Sequence, residues 1–392
     1  MCKFFCTFVA DFVHFIKKKP IYMPNSYIYS RLYAWYESNR RVLPWRETED
    51  AYYIWLSEVI LQQTRVAQGM EYYMRFVARW PRVEDLAAAD ESEVLREWQG
   101  LGYYSRARNL HKAAQMIVES QKSKVESGEQ SAYLFPRTFE DIRSLPGIGD
   151  YTAGAIASFA YDQPYPAMDG NVYRVVARLL DIDEPFDTTA GKKLFHHQIE
   201  TLLDREHPRL FNSAIMEFGA LHCTPVLGDN CAECPLQGVC KSYEHGTAEL
   251  LPIRKQRPKL RDRWLDYHIY VSRKSKVESQ KPSDLYTLIQ RRENPKDIWY
   301  HLYEFPCEEL SVSGAVCQRG GLSAGPLPGS VSGAVFTCTH VLSHQRLHAR
   351  FFVHKVEQLP TLPGTIRVAW PELDDHALSR LTLRALESIA LK

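Results

Sequence analysis

Two carboxylates and four thiols carry the chemistry open to this sequence. Cys223, Cys231, Cys234 and Cys240 fall within eighteen residues, separated by seven, two and five positions. Soft thiolates select zinc or an iron–sulfur cluster over oxygen-loving cations. These gaps leave no room for the longer separation of ligand pairs in most zinc ribbons and fingers, so a four-thiolate [4Fe–4S] site is the better reading and a zinc knuckle or incidental cysteines the alternatives. Glu58 lies in YIWLSEVILQQT, with Ile54, Trp55 and Leu61 three or four residues away on its side of a helix. Desolvation there would raise the proton affinity of its carboxyl and let it hold a proton at neutral pH; a solvated helix face is the bland alternative. Asp169 precedes Gly170 and a helical run from near Asn171, the place of an N-cap, and capping alone could account for it. Two carboxylates in different environments suit cleavage of a glycosidic bond through an oxocarbenium-like state, one as acid and one as counter-ion.

The elements that must position these groups follow from pattern. SLPGIGDYTAGAIASFA, residues 144–160, sets a glycine-rich turn between two apolar-periodic helices. Gly147 and Gly149 permit the tight backbone, and the turn's N–H groups with the next helix N-terminus would accept an anion. That is the helix-hairpin-helix way of holding a DNA phosphate without reading sequence, an ordinary helix–helix turn being the alternative. From Asn25 to about Ser242 apolar residues recur at three and four, giving many short helices, the first from about Tyr27 to Glu37. SQKSKVESGEQS, residues 120–131, and its partial repeat KSKVES at 274–279 read as solvated loops. Two SVSGAV copies, at 311–316 and 330–335, bracket a long surface loop. IRKQRPKLRDR, residues 253–263, holds six basic residues against one acidic and marks a domain boundary, either a solvated linker or a segment lying along a phosphate backbone. Beyond it WLDYHIYVS, DLYTLIQRR and ARFFVHKVEQ read as strands and LDDHALSRLTLRALESIAL as an amphipathic helix. Together they make a small α/β domain of about 130 residues, a size that folds alone.

With 392 residues the chain suggests two or three domains, and a net charge of +1 leaves any nucleic-acid surface local. Nine cysteines, five of them scattered, suit a reducing cytosol and not a disulfide framework. No apolar run reaches the length of a membrane span. The opening residues do not read as a signal peptide, because Asp11 and His14 interrupt the apolar part and the lysines follow it. Residues 1–22 are expected to be a disordered or spurious extension, with Met23 as the start.

WLSEVILQQT, GLGYYSRARNL, LPGIGDYTAGAI, MDGNVYRV and the cysteine run, in that order, resemble the adenine DNA glycosylase (MutY) family of the helix-hairpin-helix superfamily, from about Asn25 to the C-terminus. The resemblance implies a mainly α helix-hairpin-helix glycosylase over residues 23–247, built from a helical barrel near 50–160 and an iron–sulfur module of 25–49 with 160–247. A linker at 248–263 and a smaller α/β Nudix-like domain at 264–392 would follow. It also implies removal of adenine mispaired with 8-oxoguanine or guanine in double-stranded DNA by a monomeric, cytoplasmic, nucleoid-associated enzyme of bacterial type. The substrate would enter between the helical subdomains.

Glu58 would then protonate the leaving adenine and help activate water, and Asp169 would stabilise the sugar cation or a transient covalent adduct. Arg46, Tyr151 and Asn171 would complete the pocket. Gln62, Gln63 and Tyr103 would wedge into the duplex around 8-oxoguanine, although Tyr103 and Tyr104 also have a plain core reading. Tyr151 stands where the endonuclease III branch has a lysine that cuts the strand through a Schiff base, so a monofunctional enzyme is expected. DIWYHLYEFP and HVLSHQRLHARF match landmarks of the recognition domain, with Leu342 where many members have phenylalanine and Ser343 and His344 toward the oxidised base. The glutamate-rich magnesium box of catalytic Nudix enzymes is missing. The first cysteine gap is one longer than the family's usual six, so the loop at 225–230 must bulge. An endonuclease III-like lyase, a Nudix hydrolase and a non-catalytic iron–sulfur DNA-binding protein are the rival readings.

Overall fold

A computed structural model describes residues 24–126, 135–255, 260–273, 285–310 and 336–390. The opening extension, the second KSKVES and both SVSGAV copies therefore lie outside the described residues. The chain divides into two compact units. One takes the chain up to Ala51, Arg137–Phe139 and Gly149–Lys255, and the other takes Tyr52–Pro136, Glu140–Ile148 and Gln256–Lys392.

In the first unit, α1 (Asn25–Asn39) starts directly after Pro24 and buries Ile28, Leu32 and Tyr36, spaced four apart on one stripe. It packs with α9 (Gly170–Leu180), α10 (Thr189–Leu202) and α11 (Pro208–Leu221) around Val172, Val176, Phe195, Phe211 and Phe218. Local chemistry starts these helices: Asp169 caps α9, the Thr188 hydroxyl accepts from Gly191 N at 2.9 Å, and Pro208 opens α11. The helix α8 (Asp150–Tyr161) also belongs here and not to a barrel ending at 160. Asn212 of α11 is the reason: its amide donates to Ser158 Oγ at 2.8 Å and Tyr165 O at 2.9 Å and accepts from Ala167 N at 3.0 Å. A Cβ on Gly154 would meet Pro166 O at 2.5 Å, so α8 approaches this loop at backbone distance.

The helices of the second unit are α2 (Ala51–Ile60), α3 (Val66–Arg79), α4 (Val83–Ala88), α5 (Glu91–Glu97), α6 (Ser105–Glu126) and α7 (Phe139–Ser144). Phe76 packs edge-on against Trp80 and Trp98, with ring centroids 5.0 and 5.7 Å away. The first half of the SQKSKVESGEQS segment is not a loop: α6 continues through it to Glu126, because Lys, Gln and Glu favour helix and the first breaker is Gly128.

The same unit holds a seven-stranded mixed sheet ordered β3-β2-β1-β6-β5, with β4 pairing β1 and β7 pairing β2. The strands are β1 (Arg261–Arg273), β2 (Leu285–Arg291), β3 (Tyr303–Glu304), β4 (Cys307–Leu310), β5 (Phe336–Val341), β6 (Gln345–Lys355) and β7 (Thr365–Ala369). Its centre is the parallel pair β1·β6, in register from Arg261↔Gln345 to Val271↔Lys355. Period-two alternation puts Leu265, Tyr267 and Ile269 with Leu347, Ala349 and Phe351 on one face, packed with Leu381 and Ala385 of α12 (Arg380–Ala390). The expected strands hold, and β1 already begins inside the supposed linker. The helix starts seven residues later than its sequence pattern suggests. Ala377–Ser379 is drawn into extended pairing with Tyr303, and Ser379 Oγ then accepts from Thr382 N at 3.1 Å.

Candidate active site

Glu58 is 8% exposed on α2, where every residue except Tyr53 is buried. The solvated-face alternative is thereby excluded. The C-terminal carbonyls of this helix, which have no partner within it, are met by a residue that sequence reading passed over. Arg106, 9% exposed, donates to Val59 O at 3.1 Å and Ile60 O at 3.0 Å. It also bonds Gln62 O, Leu101 O at 3.4 Å and Gly102 O at 3.2 Å, and lies 5.0 Å from the Trp98 ring centroid and 5.8 Å from that of Tyr103. Burial pushes its guanidinium down to about 10, still a cation at neutral pH.

One arginine therefore ties together the two turns singled out as wedges. Gln63 is exposed with φ 56°, and Tyr103 is 48% exposed with φ 48°. Left-handed backbone is disfavoured for both side chains and persists only where the surroundings over-determine it. The Trp98 indole adds a donor to Gly102 O at 3.0 Å. The core reading applies to Tyr104, 4% exposed, and not to Tyr103.

Asp169 sits in the first unit, as the N-cap of α9. Its Oδ1 accepts from Asn171 N at 2.9 Å and Val172 N at 2.8 Å, and its Oδ2 from Asn171 Nδ2 at 2.7 Å. Burial pushes its carboxyl up, while these donors work in the opposite direction. Asn171 is held in turn by Arg174 Nη2 at 2.9 Å, and Arg174 continues to Gly219 O at 2.6 Å and Cys223 O at 2.7 Å. Gly219 is obligatory here, since a Cβ would fall 2.8 Å from that of Asn171. Arg46 lies in a short 3₁₀ turn and donates through Nη1 to Glu217 Oε2 at 2.9 Å. Glu217, fully buried, also takes a bidentate pair from Arg41 at 2.7 and 2.8 Å. Burial alone would raise its carboxyl, but the two arginines hold it below the usual carboxylate range.

The hairpin turn runs from α7 through Leu145–Ile148 into α8, with Tyr151 half-buried in the first turn of α8. Gly147 (φ 77°) needs its left-handed backbone, and a Cβ there would meet Asn109 Cβ at 2.7 Å. Gly149 differs from expectation. Its backbone is extended (φ −103°, ψ −178°), which any residue adopts, and nothing lies within 4 Å of a Cβ placed there. Its missing side chain leaves the N-terminus of α8 open, as an anion's approach requires.

Cys223, Cys231, Cys234 and Cys240 line one cavity together with Arg178 and His222. Arg178, 2% exposed, places Nη1 3.4 Å from Cys223 Sγ and spends its other donors on Thr224 O, Pro225 O and Leu251 O. Burial pushes the Cys223, Cys231 and Cys234 thiols up, the last to about 12. Among the described residues no three His, Cys, Asp or Glu side chains gather closely enough to hold a single ion. The long first gap does bulge: Val226 is 84% exposed and Gly228 is left-handed at φ 50°.

In the α/β domain Ser343 and His344 are exposed at the tip of the β5–β6 hairpin, closed by Leu342 N to Gln345 O at 2.8 Å. Leu342 packs onto the domain core. Gln345 links the tip inward, with Nε2 3.1 Å from His344 Nε2 and Oε1 accepting from Arg263 at 3.3 Å. Guanidinium groups engage two of the domain's acids, the exposed Glu309 by Arg263 at 2.6 Å and the buried Glu304 by Arg292 at 2.7 Å.

A helical frame with a glycine hairpin and an adjoining four-cysteine loop defines a helix-hairpin-helix glycosylase, and residues 56–196 match the HhH-GPD superfamily of base excision DNA repair proteins. The chain is 33% identical over 401 residues to the adenine DNA glycosylase of Mus musculus, covering 89% of this chain and 75% of that protein. To the adenine DNA glycosylase of Buchnera aphidicola subsp. Baizongia pistaciae it is 32% identical over 285 residues, covering 72% and 74%. A solved thermostable thymine-DNA glycosylase overlaps 56% of this chain and 97% of its own, at 26% identity and a TM-score of 0.48. The chain belongs to the adenine DNA glycosylase family.

Proposed function

We propose that this protein hydrolyses the N-glycosidic bond of adenine mispaired with 8-oxoguanine or guanine in duplex DNA and leaves the strand intact. The observation that carries the reading is the burial of Glu58, 8% exposed on a helix of buried residues, a carboxyl that would donate the proton to the leaving base. Asp169 supplies the counter-ion. Fixed by three donors yet desolvated, its carboxylate gains most when a sugar cation forms beside it. Tyr151 supports hydrolysis over strand cleavage, since a phenol forms no imine. Tyr103 and the Gln62–Gln63 turn would fill the gap left by a flipped base, and Ser343 and His344 would meet the oxidised guanine.

The four cysteines would hold a [4Fe–4S] cluster, which when bound ties the loop 223–240 to α9 and α11. Their chemistry fits it: four thiols around one cavity, with a buried guanidinium to balance a thiolate-rich anion. The test is incubation with duplexes carrying A opposite 8-oxoguanine, A opposite G, A opposite T, or thymine glycol. Abasic sites that break only after alkali, formed from the first two, are expected; breaks before alkali with borohydride trapping would place the chain among the lyases.

A further inference from the structure

The loop that presents Tyr103 is gripped from two sides, and the second side belongs to the α/β domain. Between Gln99 and Tyr104 the backbone is left-handed at Gly100 (φ 99°), Gly102 (φ 75°) and Tyr103 (φ 48°). On the helical side the Tyr72 hydroxyl donates to Gln99 O at 2.7 Å, and a Cβ on Gly100 would meet that hydroxyl at 2.6 Å. On the other side Gln99 Oε1 accepts from Leu378 N at 3.1 Å, and Leu378 is fully buried. The hydroxyl of Tyr104 accepts from Gly100 N at 3.3 Å and lies 3.5 Å from Leu378 O. Leu378 cannot drift, because its neighbours pair with Tyr303: Tyr303 N donates to Ala377 O at 2.9 Å and Ser379 N to Tyr303 O at 3.3 Å.

The segment just before Tyr303 is docked in the same direction. Arg108 of α6 donates to Tyr300 O at 2.7 Å, and His301 Nδ1 lies 2.6 Å from Glu91 Oε1 of α5. Trp299 (φ 57°) and His301 (φ 66°) take left-handed backbones against their preference, a conformation that only over-determined surroundings keep.

We propose that Gln99 is a positioning residue: through Leu378 the α/β domain sets the backbone of the Tyr103 loop, so discrimination of 8-oxoguanine from guanine depends on a side chain that touches neither base nor sugar. This rests on the function proposed above. The full-length chain is compared with Gln99→Met, which keeps bulk but cannot accept, and Gln99→Glu, which keeps an acceptor for Leu378 N. Gln99→Met is expected to lower the preference for A opposite 8-oxoguanine over A opposite G about tenfold, and Gln99→Glu to stay within about threefold of wild type, a conservative rescue that mere loop packing would not produce. The rate of adenine release at saturating protein on A opposite 8-oxoguanine should change less than about threefold in both, and the Leu378 amide should exchange faster only in the Met variant. Unchanged preference in Gln99→Met, or equal loss in both variants, would overturn the clamp while wild-type activity stands. Wild-type protein that releases no adenine would overturn the function and this inference with it.

Discussion

Arg106 shows what a single residue does here that no motif announces. Its acceptors are backbone carbonyls from two turns and a helix end, with the Thr64 hydroxyl at their edge. A lysine would keep the charge but lose the planar fork that spans both turns. Arg106→Lys should leave several buried carbonyls short of a donor, at about 1–3 kcal/mol, and weaken binding to A opposite 8-oxoguanine by about tenfold or more while the protein stays folded. Melting temperature and duplex affinity check this, and unchanged affinity would show that the turns hold themselves. The apolar flank of Glu58 and the capping place of Asp169 were legible in the sequence, but their candidate roles came only from the family resemblance. Arg106, Arg174 and Glu217 were not legible, because their partners are brought together by tertiary packing and leave no periodic trace.

Among the elements, those with strong local signals came out as expected: the helix after Pro24 and the strands β1, β2 and β6. Where local pattern and tertiary pairing compete, pairing wins. Residues 376–379 carry a helical pattern, yet the chain there is extended against Tyr303 and bonded to Gln99. The cysteine loop is short on regular structure, with two 3₁₀ turns at Gly228–Cys231 and Gln237–Val239. The proposed cluster would hold together a loop of that kind. Cys234→Ser should therefore lose iron and stability together, with wild-type protein purified without air containing iron and sulfide. Stoichiometric zinc in their place would contradict the cluster.

At the scale of the whole molecule, the domain boundaries were the least legible feature. Sequence similarity groups residues 50–160 as a barrel, whereas packing sends α8 to the first unit through Asn212 and joins the α/β domain to the remaining barrel helices through Arg108, Gln99 and Tyr104. Glu58 and Asp169 consequently belong to different units. The most direct measurement is single-turnover adenine release from A opposite 8-oxoguanine by wild type and Glu58→Gln, with duplex affinity determined in parallel. Removing the proton donor while keeping its shape should abolish release and leave affinity within about threefold. A Glu58→Gln protein that releases adenine within about tenfold of wild type, a barrier change under roughly 1.4 kcal/mol, would contradict the assignment of Glu58 as the acid.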